Sequence, residues 1–277
     1  MDTIAKPTMT KEILERYGLK ADKRFGQNFL IDPNTVEKIA MNACDEELVT
    51  IEIGPGIGSL TQYLARYSKK VYAHEIDKRL IEVLEDIFKD EEKIEIVPGD
   101  FLKCDLSLMP YHDAKINVCS NLPYYITTPV LFKIFESDLD IKKITVMVQK
   151  EVAERFVAKP DTEDYSALSV IVQYLFDTKL LMNVSRKVFD PMPKVDSAVV
   201  TFTPKVKDED IVEKDFFDLI KASFKQRRKT LKNNLTSAYK GKDIDRLIAE
   251  AGLKATVRAQ ELTIEDFKHL YGGIYET

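Results

Sequence analysis

Four short segments carry residue types whose spacing could do chemistry: Glu52-Ile53-Gly54-Pro55-Gly56-Ile57-Gly58, Glu75, Pro98-Gly99-Asp100-Phe101 and Asn121-Leu122-Pro123-Tyr124. Glycines allow a sharp turn and a close approach of backbone to ligand. A dinucleotide-binding turn reads Gly-x-Gly-x-x-Gly, whereas here the spacing is Gly-x-Gly-x-Gly, with an acidic residue before it and Ser59 after it. That difference points away from a pyrophosphate on a helix N-terminus. It points towards a cationic sulfonium amino acid joined to a nucleoside, S-adenosylmethionine, which becomes S-adenosylhomocysteine when its methyl is transferred. Carboxylates at strand ends suit such a ligand: Glu75 could accept from both ribose hydroxyls, and Asp100 from the adenine amino group. Gly54, Gly56, Ile76 and Phe101 complete this part of the expected cofactor site. Each feature alone is an ordinary turn or a solvated carboxylate, but in order at successive strand ends they make one pattern.

Asn121-Leu122-Pro123-Tyr124 suits work on an exocyclic adenine nitrogen, which is a poor nucleophile because its lone pair is delocalised into the ring. If the Asn121 side-chain oxygen and the Leu122 carbonyl accept its two N–H groups, the nitrogen is drawn towards a tetrahedral form with its lone pair facing an electrophilic methyl. Pro123 stiffens the turn, so the acceptors are preorganised. Tyr124 offers a ring on which a base can stack, worth about 1 to 3 kcal/mol. Phe189, between Val188 and Asp190-Pro191-Met192-Pro193, is the candidate for the opposite face of the base. No strong general base is required, since the proton can leave after transfer, when the nitrogen has become acidic. A metal centre has little support: His74, His112 and His269 show no paired spacing, and Cys44, Cys104 and Cys119 read as reduced, mostly buried thiols.

These residues need a sheet to bring them together. Apolar, β-branched runs at Val49–Ile53, Lys70–Glu75, Ile94–Pro98, Ile116–Ser120 and Lys143–Gln149 predict strands, each ending near a turn signal. Helical spacing falls between them at Leu60–Tyr67, Lys78–Phe88 and Thr128–Phe135, and again at Ser166–Phe176. Lys179–Val184 and Ser197–Phe202 could pair as an antiparallel edge, giving a mostly parallel α/β sheet of about seven strands. The expected domains are 1–203, catalytic, with 1–30 closing over the cofactor, and 204–277, small and all-helical. Phe216, Phe217, Ile220 and Phe224 share one helical face there, and Thr263 with Asp266 resembles a capping box.

The 277 residues are 44% hydrophobic and 31% charged, near globular averages, which argues against a disordered or disulfide-stapled chain. No apolar stretch approaches membrane-spanning length and the first twenty residues lack a signal-peptide core, so a cytoplasmic protein is expected. A net charge of -5 does not favour nucleic acid, yet it hides a local excess. Lys221, Lys225, Arg227, Arg228, Lys229 and Lys232 have no acid between them, and Lys20, Lys23 and Arg24 form a smaller cluster.

The combination of Arg24-Phe25-Gly26-Gln27-Asn28-Phe29-Leu30, the glycine turn, Asn121-Leu-Pro-Tyr-Tyr-Ile-Thr-Thr-Pro129 and Pro191-Met-Pro-Lys-Val-Asp-Ser-Ala-Val199 closely resembles the small-subunit (16S) ribosomal RNA adenine dimethyltransferases, the kasugamycin-sensitivity family. The resemblance implies a Rossmann-like class I S-adenosylmethionine-dependent fold. It also implies N6,N6-dimethylation of two adjacent adenosines in the 3′-terminal hairpin loop of small-subunit rRNA, late in subunit assembly. Family binding positions fall on Asn28 and Leu30, over the methionine end of the cofactor, with Gln27 beside them, and on Gly54, Glu75, Asp100 and Asn121. A separate basic domain would then hold RNA phosphates through Lys225, Arg227, Arg228, Lys229 and Lys232. Its partner is rRNA within a partly assembled small subunit, bound by a monomer. Three alternatives are a large-subunit rRNA methyltransferase of the erythromycin-resistance type, a non-catalytic assembly factor on the same fold, and a DNA adenine methyltransferase. Leu122, Thr127–Pro129 and Val195–Ala198 favour the small-subunit family, and the intact Glu75, Asp100, Asn121, Pro123 and Tyr124 argue against a pure binder.

Overall fold

The β-branched runs form strands and the amphipathic segments between them form helices in the computed structural model, which describes residues 3–22 and 26–275. In chain order these are α1 (Pro7–Arg16), β1 (Phe29–Leu30), α2 (Pro33–Ala43), β2 (Val49–Ile53), α3 (Thr61–Tyr67), β3 (Lys70–Glu75), α4 (Lys78–Ile87), β4 (Ile94–Pro98) and β5 (Lys115–Asn121). There follow α5 (Thr127–Phe135), β6 (Asp140–Gln149), α6 (Lys150–Val157), α7 (Ala167–Leu175), β7 (Phe176–Val184), β8 (Phe189–Asp190) and β9 (Ser197–Pro204). The last four helices are α8 (Glu213–Ser223), α9 (Leu231–Ala238), α10 (Ile244–Glu250) and α11 (Ile264–Tyr275). Lys23, Arg24 and Phe25 of the N-terminal motif lie outside the described residues.

Two compact units form, one from the residues up to Ala153 with Lys179–Thr203, the other from Glu154–Thr178 with Pro204 onward. One division falls after Thr203, and residues 154–178, expected within 1–203, cluster with the later helices. The reason is aromatic packing with no compositional signature: the Tyr174 ring lies 4.6 Å from that of Phe216, and the Tyr165 hydroxyl donates to the Leu262 carbonyl at 2.9 Å. Within this unit Phe216, Leu219 and Ile220 of α8 are buried, and Phe224 stacks on Phe267 at 6.1 Å. Thr263 and Asp266 make the reciprocal cap of α11, Thr263 N to Asp266 Oδ2 at 2.8 Å and Asp266 N to Thr263 Oγ1 at 3.2 Å.

The first unit holds a seven-stranded sheet in the order β4-β3-β2-β5-β6-β9-β7. Strands β4, β3, β2, β5 and β6 run parallel, and β9 is antiparallel to β6. The inner strands β2, β3 and β5 are buried almost end to end, as expected when helices cover both faces. Val36, Ile39 and Ala40 of α2 pack with Tyr63 and Leu64 of α3 on Val71, Cys119 and Met147 of the sheet. Helix starts are locally written: Asp32 accepts from Thr35 N at 2.9 Å, with Pro33 opening α2, and Asp77 caps α4. Strand order reverses between β2 and β5. In open α/β sheets ligands bind outside the carboxyl ends of the strands at that reversal. A separate two-stranded pairing of β1 with β8, Leu30 opposite Phe189, was not foreseen because two-residue strands leave no periodic signal.

Candidate functional site

A cleft opens above the carboxyl ends of β4, β3, β2 and β5. Gln27, Asn28, Leu30, Gly54, Gly56, Glu75, Ile76, Asp100, Phe101, Asn121, Leu122, Pro123, Tyr124 and Phe189 all line it. The sheet order explains the convergence, because each segment leaves the end of one of four neighbouring strands, and β1 with β8 brings Leu30 and Phe189 to the rim.

The glycine turn is anchored by the Gly54 amide, which donates to the His74 carbonyl at 2.9 Å. Gly54 and Gly56 lie at φ +70° and +62°, in the left-handed region that favours glycine. Gly58 (φ +88°) has a different reason: a Cβ there would stand 2.5 Å from the Phe88 ring, so this glycine admits a side chain of the fold and not a ligand. Glu75 is 5% exposed and organises the turn, accepting from the amides of Ile76 and Asp77 at 2.9 Å and of Gly56 at 3.3 Å. Burial pushes its carboxyl upward, and those three N–H groups oppose the shift.

Glu52 is the group whose importance the sequence understated. It is 1% exposed, its Oε2 makes no hydrogen bond, and burial, helped by the charge of Glu75, pushes its carboxyl up to about 8. The Thr61 hydroxyl near Glu52 opposes that rise, and the buried Ser59 hydroxyl has no hydrogen-bond partner. An acidic residue in front of the first glycine was the available signal.

At the other end, Asn121 closes β5 opposite Met147, and the Leu122 amide donates to the Met147 carbonyl at 3.2 Å. The Asn121 Nδ2 donates to the Asn28 carbonyl at 3.3 Å, and Asn28 Nδ2 to the Gly26 carbonyl at 2.9 Å. The amide nitrogen of Asn121 is thereby engaged by the N-terminal segment, and its oxygen is the acceptor that remains. The Pro123 carbonyl takes the Ile126 amide at 3.1 Å, fixing the turn into α5. The Tyr124 hydroxyl pairs with Ser197 Oγ at 2.8 Å, which sets its ring, whereas Tyr125, from which the sequence alone suggested nothing, is 58% exposed with its ring beside Gly26. Phe189 is buried at the rim.

Two expected residues are placed differently from a simple ligand contact. Gln27 lines the cleft, but its amide is engaged at both ends: Oε1 accepts from Asp22 N at 2.7 Å and Nε2 donates to Asp77 Oδ2 at 3.0 Å. Asp77 is also held by Arg79, which keeps its carboxyl below the usual range. Asp100 accepts from Leu102 N at 3.0 Å, and Phe101 sits edge-on to His74 with ring centres 5.1 Å apart. His74 is buried, pairs with the Tyr111 hydroxyl at 2.8 Å and is pushed down to about 4, so it is neutral near pH 7.

In the second unit Lys225, Arg227, Arg228 and Lys229 are exposed in the turn between α8 and α9. Lys232, on α9, pairs with Asp245 at 2.6 Å, and the Arg227 guanidinium donates to the Glu163 carbonyl. The basic run is therefore a turn flanked by helices, with one of its charges already neutralised. Among the described residues no group of His, Cys, Asp and Glu could hold a metal ion, and no helix is long and apolar enough to cross a membrane.

A family model described as ribosomal RNA adenine dimethylase matches residues 18–274. The ribosomal RNA small subunit methyltransferase A of Oceanobacillus iheyensis is 41% identical, covering 99% of this chain and 97% of that one. The protein of the same name from Bacillus mycoides is 43% identical, covering 99% and 98%. Among solved structures, a dimethyladenosine transferase from Plasmodium falciparum matches with a TM-score of 0.74 and 26% identity, covering 87% of this chain and 95% of that one. The 23S rRNA methyltransferase ErmE matches with a TM-score of 0.71 and 26% identity, covering 89% and 99%.

Proposed function

Because the chain belongs to the ribosomal RNA adenine dimethylase family, we propose that it transfers methyl groups from S-adenosylmethionine to N6 of two adjacent adenosines in the 3′-terminal hairpin loop of small-subunit rRNA. Both adenosines are dimethylated, in the cytoplasm and on a partly assembled subunit. The observation that carries this reading is Asn121: it stands at the strand-order reversal, with its amide nitrogen held by the Asn28 carbonyl at 3.3 Å. Its oxygen is thus left to accept from an amino group entering the cleft.

The residues of the cleft fit the cofactor. A buried carboxylate with an unpartnered oxygen, Glu52, is what a ligand cation would satisfy, and it favours such a cation most when ionised. Glu75 and Asp100 supply acceptors for hydroxyl and amino donors of a nucleoside, while Phe101 gives that end an apolar wall. When bound, the cofactor supplies a methyl made electrophilic by its sulfonium. The chain orients the nucleophile: Asn121 Oδ1 and the Leu122 carbonyl accept the two N–H groups of the adenine amine and turn its lone pair into the cleft. Tyr124, fixed by Ser197, and Phe189 hold the base between rings. His74 is engaged with Tyr111, so the proton lost after transfer passes to water.

Exposed cations at Lys225, Arg227, Arg228 and Lys229 support a phosphate-binding role for the second unit. The likeness to a large-subunit enzyme and to a dimethyladenosine transferase is equal at 26% identity, so the fold does not choose the substrate. The relatives at 41% and 43% identity over nearly the whole chain favour the small subunit. The test is incorporation of labelled methyl into unmethylated small subunits, large-subunit RNA and free DNA in parallel, with mass analysis of the modified nucleoside. Dimethyladenosine confined to the small subunit is expected. Label in large-subunit RNA would move the assignment to the resistance type, and cofactor binding without label to an assembly factor.

A further inference from the structure

We propose that Lys133 is a positioning residue that ties the loop carrying Asp100 and Phe101 to the helix growing out of the Asn-Leu-Pro-Tyr turn. Helix α5 reads Thr-Thr-Pro-Val-Leu-Phe-Lys-Ile-Phe, and Lys133 is its one charged residue. A half-buried lysine that is the one charge on its helix needs acceptors. It finds them in backbone: Nζ donates to the Leu102 carbonyl at 3.0 Å and to the Cys104 carbonyl at 2.6 Å.

Those two carbonyls belong to the turn that follows β4. Its internal bonds run back to Asp100, whose carbonyl takes the amides of Lys103 and Cys104 at 2.9 and 3.1 Å and whose side chain takes that of Leu102. The Leu102 and Cys104 carbonyls both lie within reach of one ammonium, whose three donors can serve both at once. The same Nζ lies 5.8 Å from the centre of the Phe101 ring, whose edge contact with His74 supports the loop from the strand side. One cation therefore sets the height of Asp100 and Phe101 over the cleft. Its own helix is fixed to the catalytic turn, since Ile126 N and Thr127 Oγ1 both donate to the Pro123 carbonyl, at 3.1 and 3.3 Å. The loop expected to hold the cofactor's adenine and the turn expected to hold the target amine are thus braced against each other through Lys133, without that residue touching either ligand.

The proposal rests on the functional reading above, and the experiment separates the two. S-adenosylhomocysteine affinity is measured by calorimetry on the full chain, together with kcat and KM for S-adenosylmethionine on unmethylated small subunits. Lys133→Met should raise the cofactor KM and the S-adenosylhomocysteine Kd about tenfold, the loss expected of a charge-assisted hydrogen bond, with kcat within about twofold. Lys133→Arg, which keeps the charge and its donors, should recover most of that loss. Should the Met variant fail to fold, Lys133→Gln, retaining a single donating group, should show a smaller shift in the same direction. A folded Met or Gln variant with unchanged cofactor affinity overturns the proposal, as does a loss confined to kcat. Wild-type protein that binds no S-adenosylhomocysteine overturns the reading of the cleft itself.

Discussion

The cleft and the basic turn between α8 and α9 are both built from polar residues, but they tolerate loss differently. In the cleft the key polar groups are buried or half-buried and most have fixed partners: Glu75 is held by three backbone amides, and Asn121 by one carbonyl. In the turn Lys225, Arg227, Arg228 and Lys229 are exposed, and a point charge on one can stand in for a point charge on the next. Geometry makes a residue singular, whereas solvent-screened charge makes it additive. The two regions should therefore fail in different ways.

The sharpest break is expected at Asn121. Asn121→Ala removes the acceptor while leaving Glu52, Glu75 and Asp100 in place, so the methylation rate should fall by about 10²- to 10³-fold, the usual cost of losing one preorganised group of this kind. Cofactor affinity should stay near wild type. Single-turnover methylation beside calorimetry on S-adenosylhomocysteine checks this. Loss of both would make Asn121 a structural residue of the N-terminal segment, which its bond to Asn28 would then explain.

How much of this contrast the sequence carried depends on range. The strands Val49–Ile53, Lys70–Glu75 and Ile94–Pro98 stand where the β-branched runs put them: the first two are inner strands buried almost throughout, and the third, half-buried at the sheet edge, still carries Ile94, Ile96 and Val97. Once those strands are parallel neighbours, the residues at their carboxyl ends have to meet, so the cleft was legible in outline. Its side-chain pairings were not. Nothing in the spacing says that Gln27 is engaged by Asp77, fifty residues away, that Gly58 serves Phe88, or that Tyr165 reaches Leu262. Such contacts join single residues across long separations and leave no period. The basic run was legible as charge, but its shape was not: Lys232 is neutralised by Asp245 from the following helix.

A second, smaller effect comes from Glu52, the most deeply buried acid of the cleft. With its carboxyl raised from 4.5 to about 8 in the folded protein, the folded state holds that proton more tightly than the unfolded chain does. The stability this confers is complete below the unfolded value and is lost as pH rises through the window from 4.5 to about 8. Glu52→Gln carries no such proton. In ligand-free protein its unfolding midpoint should therefore gain on wild type, by a few degrees, as pH climbs across that window, and the gap should level off above it. A gap that stays constant from pH 5 to 9 would mean that Glu52 is solvated, and the distinction between buried and screened acids would lose its best example.

The smallest single effects are expected in the turn, and their accumulation is the point. Lys225→Ala or Lys229→Ala alone should weaken binding to unmethylated small subunits by no more than about twofold to threefold, since each removes one exposed charge among several. Replacing Arg227, Arg228 and Lys229 together should cost about tenfold or more at low salt and should flatten the dependence of log affinity on log salt by about two units, because fewer counterions are released when fewer phosphates are neutralised. Arg227 adds a complication that the salt slope resolves. Its guanidinium donates to the Glu163 carbonyl, so Arg227→Ala disturbs the packing of its own unit as well as the charge. Arg227→Lys keeps the charge and loses the planar fork, and should therefore retain the wild-type salt slope even if affinity drops slightly. A single substitution here that abolished binding outright would show that one of these residues reads a fixed RNA shape. The turn would then belong with the cleft, on the singular side of the comparison.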